Sequence, residues 1–403
     1  MSKRLLRTLG PEQLKGRRVL VRADLNVPLA GGVVTDDTRI RASLPTLEHL
    51  TSHGSAVILM SHLGRPKGGV DPTFSLAPVA DRLQELLEVP VRFVPDTVGD
   101  AADAAVAGLR DGEVLLLENT RFLPGETANE EALARRLASY GSVYVNDAFG
   151  TAHRAHASTA GIAEAVKENG GVAVAGFLLE RELAFLGDAL ARPDRPYLAI
   201  MGGAKISGKI DVVEALLPQV DRLLIGGAMA NTFFLALGLE VGGSLVEDDR
   251  VEMARALMDR AGERLVLPVD CRVSERISGD ATSRAVSRAE VAPTDIIGDI
   301  GPETESLYRE LIQEARTVLW NGPMGVFELE PFASGTLAVA RAVADRTDQG
   351  AVSVVGGGDS AAAAEAAGVS GRLTHISTGG GASLEFLSGA ELPGVAVLSD
   401  EEG

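Results

Sequence analysis

Arg39, His62, Arg65, Arg121, His153 and Arg154 stand in short polar segments of the first half of the chain, together with Asp24 and Asn26. A guanidinium grips carboxylate or phosphate through two parallel hydrogen bonds. Several of them predict a ligand with more than one anionic group, with Asp and Asn free to hold its hydroxyls. Any one Arg alone reads as a surface residue. Their shared placement in loops after apolar runs favours a common anion site. The second half offers glycines instead, in Gly202-Gly203-Ala204-Lys205, Gly356-Gly357-Gly358-Asp359-Ser360 and Gly379-Gly380-Gly381. Gly-rich turns entering helices expose backbone N–H groups, and the helix dipole favours phosphate there. Asp359 is placed to meet a magnesium ion carried by such phosphates, since Mg²⁺ takes one or two carboxylates plus phosphate oxygens and water. Taken singly, each glycine cluster reads as a tight turn before a helix.

Two partial motif matches carry less. Gly203 to Lys209 satisfies the first seven positions of a P-loop, but the eighth is Ile210, where Ser or Thr should hold magnesium. Gly356-x-Gly358-x-x-Ala361 fits a loose dinucleotide fingerprint. The match comes late in the chain and no acidic residue ends the next apolar run, Leu373–Ile376, which argues against a Rossmann dehydrogenase.

The elements that position these residues alternate. Short, continuously apolar runs at Val19–Arg22, Ala56–Met60, Val114–Leu117, Ser142–Val145, Tyr197–Met201, Arg222–Ile225, Thr317–Trp320, Val352–Val355 and Leu373–Ile376 read as strands buried on both faces. Helical patterns lie between them at Pro78–Glu88, Glu130–Tyr140, Val246–Ala261, Glu305–Ala315 and Thr336–Asp345. This alternation predicts an α/β chain with parallel sheets. One sheet is too small for so many strands, so two doubly wound, Rossmann-like domains are expected. The polar clusters follow the strands, where such sheets bind ligands. The division is placed at 172/173, near the Gly-rich stretch Asn169–Gly176. An amphipathic helix, 177–190, is read as the hinge between domains.

The chain has 403 residues and 45% hydrophobic residues, enough for two cores, and 4% aromatics, so those cores are aliphatic. A net charge of −18 argues against nucleic acid. The single cysteine, Cys271, permits no internal disulfide and fits a reducing compartment. The start, MSKRLLRTLG, lacks the apolar run of a signal peptide. Leu223–Leu239 is broken by glycines and Asn231, and reads as a strand and a buried helix instead of a membrane span. A cytoplasmic protein is expected. His49, His53 and His375 read as structural, and no histidine spacing suits a metal.

VRADLNVPL (21–29), SHLGRPKG (61–68), LENTRF (117–122), NDAFGTAHRAHAS (146–158), GGAKISGK (202–209), DIGPET (299–304), WNGPMGVFE (320–328), GGGDS (356–360) and STGGGASLEFL (377–387) occur in order. Together they closely resemble the phosphoglycerate kinase family. The resemblance implies reversible phosphoryl transfer from 1,3-bisphosphoglycerate to MgADP, giving 3-phosphoglycerate and MgATP, by a monomer of two domains that close by hinge bending. It implies an N-terminal glycerate-binding domain, 1–172 with the chain end 392–403 packed back on it, and a C-terminal nucleotide-binding domain, 173–391. Carried over by motif, Asp24, Leu25 and Asn26 meet the glycerate, as do Arg39, His62, Leu63, Gly64, Arg65, Arg121 and Arg154. Arg39 lies nearest the transferring phosphoryl. Lys205 and Lys209 contact the nucleotide phosphates and that group, and Gly379, Gly380 and Gly381 aim amides at it. Gly357, Gly358 and Ser360 hold phosphates, Asp359 magnesium, and Glu328 the ribose. Ser360 departs from the Thr of many members, and no adenine contact is assigned from 294–298. A P-loop ATPase and a non-catalytic anion- or nucleotide-binding module are the competing readings. Ile210 opposes the first. The presence of Arg39, Lys209 and Asp359 together opposes the second.

Overall fold

A computed structural model describes residues 3–67, 69–188 and 192–401. The chain divides into one unit of Met1–Ala184 with Glu391–Gly403 and a second of Phe185–Ala390.

The first unit is built on a parallel sheet of β1 (Arg18–Ala23), β2 (Ala56–Met60), β3 (Val91–Phe93), β4 (Val114–Leu116), β5 (Val143–Asp147) and β6 (Val172–Ala175), in the order β3-β4-β2-β1-β5-β6. β2, β4 and β5 are buried along their whole length, as expected of strands covered on both faces. Val19, Val21, Val57, Leu59, Val114 and Val145 share one aliphatic core. The chain end is stitched onto this unit. Arg4 and Ser399 share a backbone hydrogen bond of 2.8 Å, and Ser399 N–H donates to Ala173 at 2.8 Å.

The second unit carries a parallel sheet of β7 (Tyr197–Met201), β8 (Arg222–Ile225), β9 (Leu265–Val266), β13 (Thr317–Asn321), β14 (Val352–Gly356) and β15 (His375–Ile376), in the order β9-β8-β7-β13-β14-β15. The chain runs outward from β7, then restarts beside it at β13. This reversal is the switch point at which doubly wound sheets bind ligands. Leu223–Leu239 resolves into β8 and a helix, Met229–Ala236, whose residues are almost all buried.

Several expectations are corrected. An antiparallel sheet of β10 (Asp270–Ser274), β11 (Arg284–Ser287) and β12 (Ile296–Ile300) joins the second unit. Its strands are short and partly polar, so no apolar run announced them. The helix expected from Val246 starts at Val251, because Glu247 instead accepts the N–H groups of Ile206 and Ser207 at 2.6 and 3.0 Å. The helix expected from Glu305 starts at Pro302, where fixed φ suits the first turn and Asp270 accepts the Glu303 and Thr304 N–H groups. The division falls between Ala184 and Phe185, later than 172/173, because the helix Phe177–Leu183 is capped from within the first unit. Buried Asp147 accepts Leu178 N–H at 2.8 Å, and Thr46 accepts Phe177 N–H at 3.0 Å. That helix widens into a π-type turn at Ala184–Asp188. The last residues of the expected hinge helix lie outside the described residues.

Candidate active site

The first unit gathers its cations beyond the carboxyl ends of β1, β2 and β4. Asp24 follows β1 and is buried, and its Oδ2 accepts Arg39 Nη1 at 2.7 Å. Arg39 lies in the first turn of the helix Thr38–Ser52, not in a strand-end loop. Asn26 Oδ1 accepts Gly64 N–H at 2.8 Å, and Arg121 Nη1 donates to Gly64 O at 2.7 Å. Leu25 and Leu63 are buried, and each is engaged through its backbone. Leu25 N–H donates to Ser61 Oγ at 2.9 Å, and Leu63 O accepts Asn119 Nδ2 at 2.8 Å. These bonds lock the segments after three strands to one another. Arg65 and Arg154 are exposed, and Arg154 Nε meets His153 Nε2 at 3.0 Å.

Electrostatics shows that these groups converge. Burial pushes Arg121 down from its ordinary value, and Arg22, Arg154 and Arg65 push it further. His62 is held well below 6.5 by burial and by Arg22, Arg121 and Arg39. It is therefore a neutral donor among guanidinium groups. Like charges are concentrated here at a cost to the ligand-free protein, an arrangement that a multiply charged anion would relieve.

Sequence reasoning missed Arg22, which is 1% exposed inside β1. Its signal was a lone charge in the apolar run VLVRA. It also missed Glu126, Ser158 and Asn119, buried polar groups behind the cluster.

In the second unit, Lys209 precedes the helix Ile210–Leu216, and its Nζ donates to Gly202 O at 2.7 Å and Asn321 O at 3.1 Å. It thus spans the ends of β7 and β13 at the switch point. This is unlike a P-loop lysine held over its own loop. Burial pushes Lys209 down to about 8, and Asp359 opposes that shift. Gly322 makes the approach possible. Its φ is 98°, and a Cβ there would lie 2.3 Å from Gly202 O. Lys205 is exposed; against burial, hydrogen bonds from Ser207 and Ile206 hold Glu247 below its ordinary value, and the Lys205 charge adds to them.

Two helices begin side by side in this unit. Gly357 caps Gly358–Ala366 and Gly379 caps Gly380–Leu387. A Cβ on Gly380 would lie 3.7 Å from Gly357 Cα and 3.8 Å from Gly358 N. Two sets of free N–H groups and two dipoles therefore share one location. Ser360 is fully buried, and its Oγ accepts Gly322 N–H at 2.6 Å. It braces the neighbouring loop. Asp359 and Glu328 are exposed and line one cleft of about 300 Å³ with Gly227, Leu245, Ile297 and Val326. The sequence had singled out none of those four walls. Gly226-Gly227 after β8 repeats the strand–glycine pattern and was the available signal. Ile297 lies in the segment left unassigned.

The family model for phosphoglycerate kinase matches residues 9–390. The chain belongs to the phosphoglycerate kinase family. It is 57% identical to the phosphoglycerate kinase of Chlorobium chlorochromatii, over 98% of this chain and 99% of that one. It is 56% identical to that of Chloroflexus aurantiacus, over 96% and 97%. The solved phosphoglycerate kinase of Coxiella burnetii superposes with a TM-score of 0.86 at 41% identity, covering 98% of both chains. That of Pyrococcus horikoshii gives 0.85 at 34% identity, again covering 98% of both. Membership in the phosphoglycerate kinase family makes the activity phosphoryl transfer between 1,3-bisphosphoglycerate and ADP, in glycolysis. Among the described residues, no helix is long and apolar enough to cross a membrane.

Proposed function

We propose that the guanidinium pocket of the first unit binds 3-phosphoglycerate and 1,3-bisphosphoglycerate, and that the cleft and paired helix starts of the second bind MgADP and MgATP. The observation that carries this reading is the meeting of the Gly357 and Gly380 helix starts in the unit whose cleft holds Asp359 and Glu328. That is a phosphate cradle with a carboxylate beside it.

Each residue has a role in this reading. Arg121, Arg65 and Arg154 hold the glycerate's phosphate and carboxylate, with His62 donating as a neutral imidazole and Arg22 buried behind it. Asp24 and Asn26 receive its hydroxyl, with the Leu25, Leu63 and Gly64 backbone shaping the loop. Asp24 also holds Arg39, which stabilises the transferring phosphoryl. Lys205, Lys209, Gly357 and Gly358 hold nucleotide phosphates, with Ser360 acting through Gly322. Glu328 receives the ribose, and Gly380 and its neighbours point amides at the migrating group. Among the described residues, the Asp359 carboxylate accepts no hydrogen bond, and no three acidic, His or Cys groups cluster to hold a metal. Such a lone carboxylate fits a magnesium ion whose other ligands are phosphate oxygens and water. When bound, the ion would neutralise phosphate charge.

Transfer in the ATP-forming direction needs no general base, because an ADP phosphate oxygen is already anionic. Positioning and charge stabilisation carry the rate. We read the protein as a cytoplasmic monomer. Burial pushes the Cys271 thiol up to about 12, so it stays protonated and unreactive. A coupled assay with 3-phosphoglycerate and MgATP tests the reading. Turnover that needs both substrates and falls on removal of Mg²⁺ supports it. ATP hydrolysis independent of 3-phosphoglycerate refutes it.

A further inference from the structure

Behind the basic pocket lies a buried carboxylate that the roles above leave unused. Glu126 is wholly buried in the short helix Pro124–Thr127. Its Oε2 accepts Ser158 N–H at 2.9 Å, and its Oε1 accepts the hydroxyls of Ser158 at 2.5 Å and Thr120 at 3.2 Å. Ser158 sits in a π-type turn, Ala157–Gly161, and its carbonyl accepts Tyr144 OH at 3.0 Å. Such widened turns recur at functional sites.

The donors and acceptors run in one direction. Ser158 gives both its protons to Glu126, so its Oγ offers only lone pairs to Arg22 Nε, 2.9 Å away. Arg22 has donors and no acceptor. Its Nη1 donates to Ala23 O, and its Nη2 donates to His62 Nδ1 at 3.1 Å. His62 Nδ1 is therefore an acceptor, and the imidazole proton stands on Nε2. All four side chains are almost fully buried, so water offers no alternative partners.

We propose that Glu126 is a positioning residue which, through Ser158 and Arg22, holds His62 in the Nε2–H tautomer and so supplies the glycerate pocket with a neutral donor. This rests on the reading that His62 and Arg121 bind the glycerate ligand. A second acceptor-bearing tautomer would present a lone pair to an anion and repel it. Plain charge compensation of Arg22 would need a nearby carboxylate, but it would not need the serine between them. The interposed hydroxyl, saturated as a donor, fixes where Arg22 sits, and Arg22, which has no acceptor, fixes the direction at His62.

The test combines histidine ¹⁵N NMR with kinetics on the full chain. In the wild type, His62, assigned by the loss of its signals in His62→Gln, should show a protonated Nε2 and a bare Nδ1. A wild-type Nδ1–H tautomer overturns the proposal without any variant. Glu126→Gln keeps the shape but places an amide donor against Ser158, and Ser158→Ala removes the relay. Each should shift His62 toward mixed tautomers and raise KM for 3-phosphoglycerate by about ten- to a hundredfold, with KM for ATP within about twofold. If Glu126→Gln does not fold, Ser158→Ala decides. Folded variants with an unchanged His62 spectrum overturn the proposal, whatever happens to KM. Arg121→Met separates the two ideas. If it leaves 3-phosphoglycerate binding intact, the pocket assignment itself fails, whereas a normal loss there with silent Glu126 and Ser158 variants sinks the relay alone.

Discussion

Replacing Arg39 by Ala should cost turnover far more than nucleotide affinity. Arg39 Nη1 is held at 2.7 Å by Asp24, whose side chain is 5% exposed against 36% for Arg39. The pair engages Nη1 alone, and in the proposed reading the remaining guanidinium donors serve the transferring phosphoryl. Removing one such donor from a preorganised site lowers kcat by roughly 10²–10³. The same change orphans the Asp24 carboxylate, whose other contact, Asn26 N–H at 3.4 Å, is long. A lost charged hydrogen bond is worth about 1.5–3 kcal/mol, and the exposure of Arg39 reduces this to about 1–2 kcal/mol. For a unit of this size that corresponds to a fall in Tm of about 2–8 °C. The double variant Arg39→Ala with Asp24→Asn removes the orphaned charge. It should recover much of that stability while turnover stays low. The coupled assay gives kcat, an ATP binding titration gives the nucleotide Kd, and thermal melts give Tm. A kcat within about threefold of wild type, or a matching loss of ATP affinity, would refute the assignment of Arg39.

Gly380→Ala and Gly322→Ala should behave oppositely. An alanine at 380 finds ordinary contact distances and a helical position, so Tm should hold within about 0.5 kcal/mol equivalent while the methyl obstructs the amide cradle and turnover drops. At 322, φ of 98° and a Cβ 2.3 Å from Gly202 O should destabilise the fold by about 2 kcal/mol or more. Equal melting curves for the two would contradict the geometry. Lys209 should make nucleotide binding pH-dependent. Its pKa of about 8 in the free protein rises when phosphate arrives, so ATP affinity should fall by up to about tenfold per pH unit above 8, and binding at pH 8.5 should take up protons. Calorimetry in buffers of different ionisation enthalpy measures that uptake, and Lys209→Met should abolish it. Finally, 3-phosphoglycerate at a hundred times its Kd should stabilise the ligand-free protein by about 2.7 kcal/mol, an effect that added KCl weakens through the Arg121 cluster.

How much of this was legible in the sequence depended on contrast. Asp24, His62, Arg121, Lys209 and Gly357 stood out because polar or glycine segments interrupt apolar runs, and strand ends are where parallel sheets expose their chain to ligand. Arg22 and Glu126 did not stand out. One is embedded in a strand and the other in an unremarked helical turn, and their partner, Ser158, comes far later in the chain. The antiparallel sheet was hidden for a related reason, since strands such as Arg284–Ser287 lack an apolar signature and owe their pairing to neighbours.

Local chemistry was thus determined by sequence alone: apolar runs make buried strands, glycines permit close turns, and ordered motifs mark the phosphoglycerate kinase family. Tertiary structure decided which of those features meet. Gly357 and Gly380 become neighbours only because β14 and β15 pair, bringing two helix starts together. Lys209 spans two strand ends only because β13 lies beside β7. Hydrogen-bond direction, burial and like-charge crowding are properties of such meetings between residues distant in the chain, and no reading of local pattern contains them.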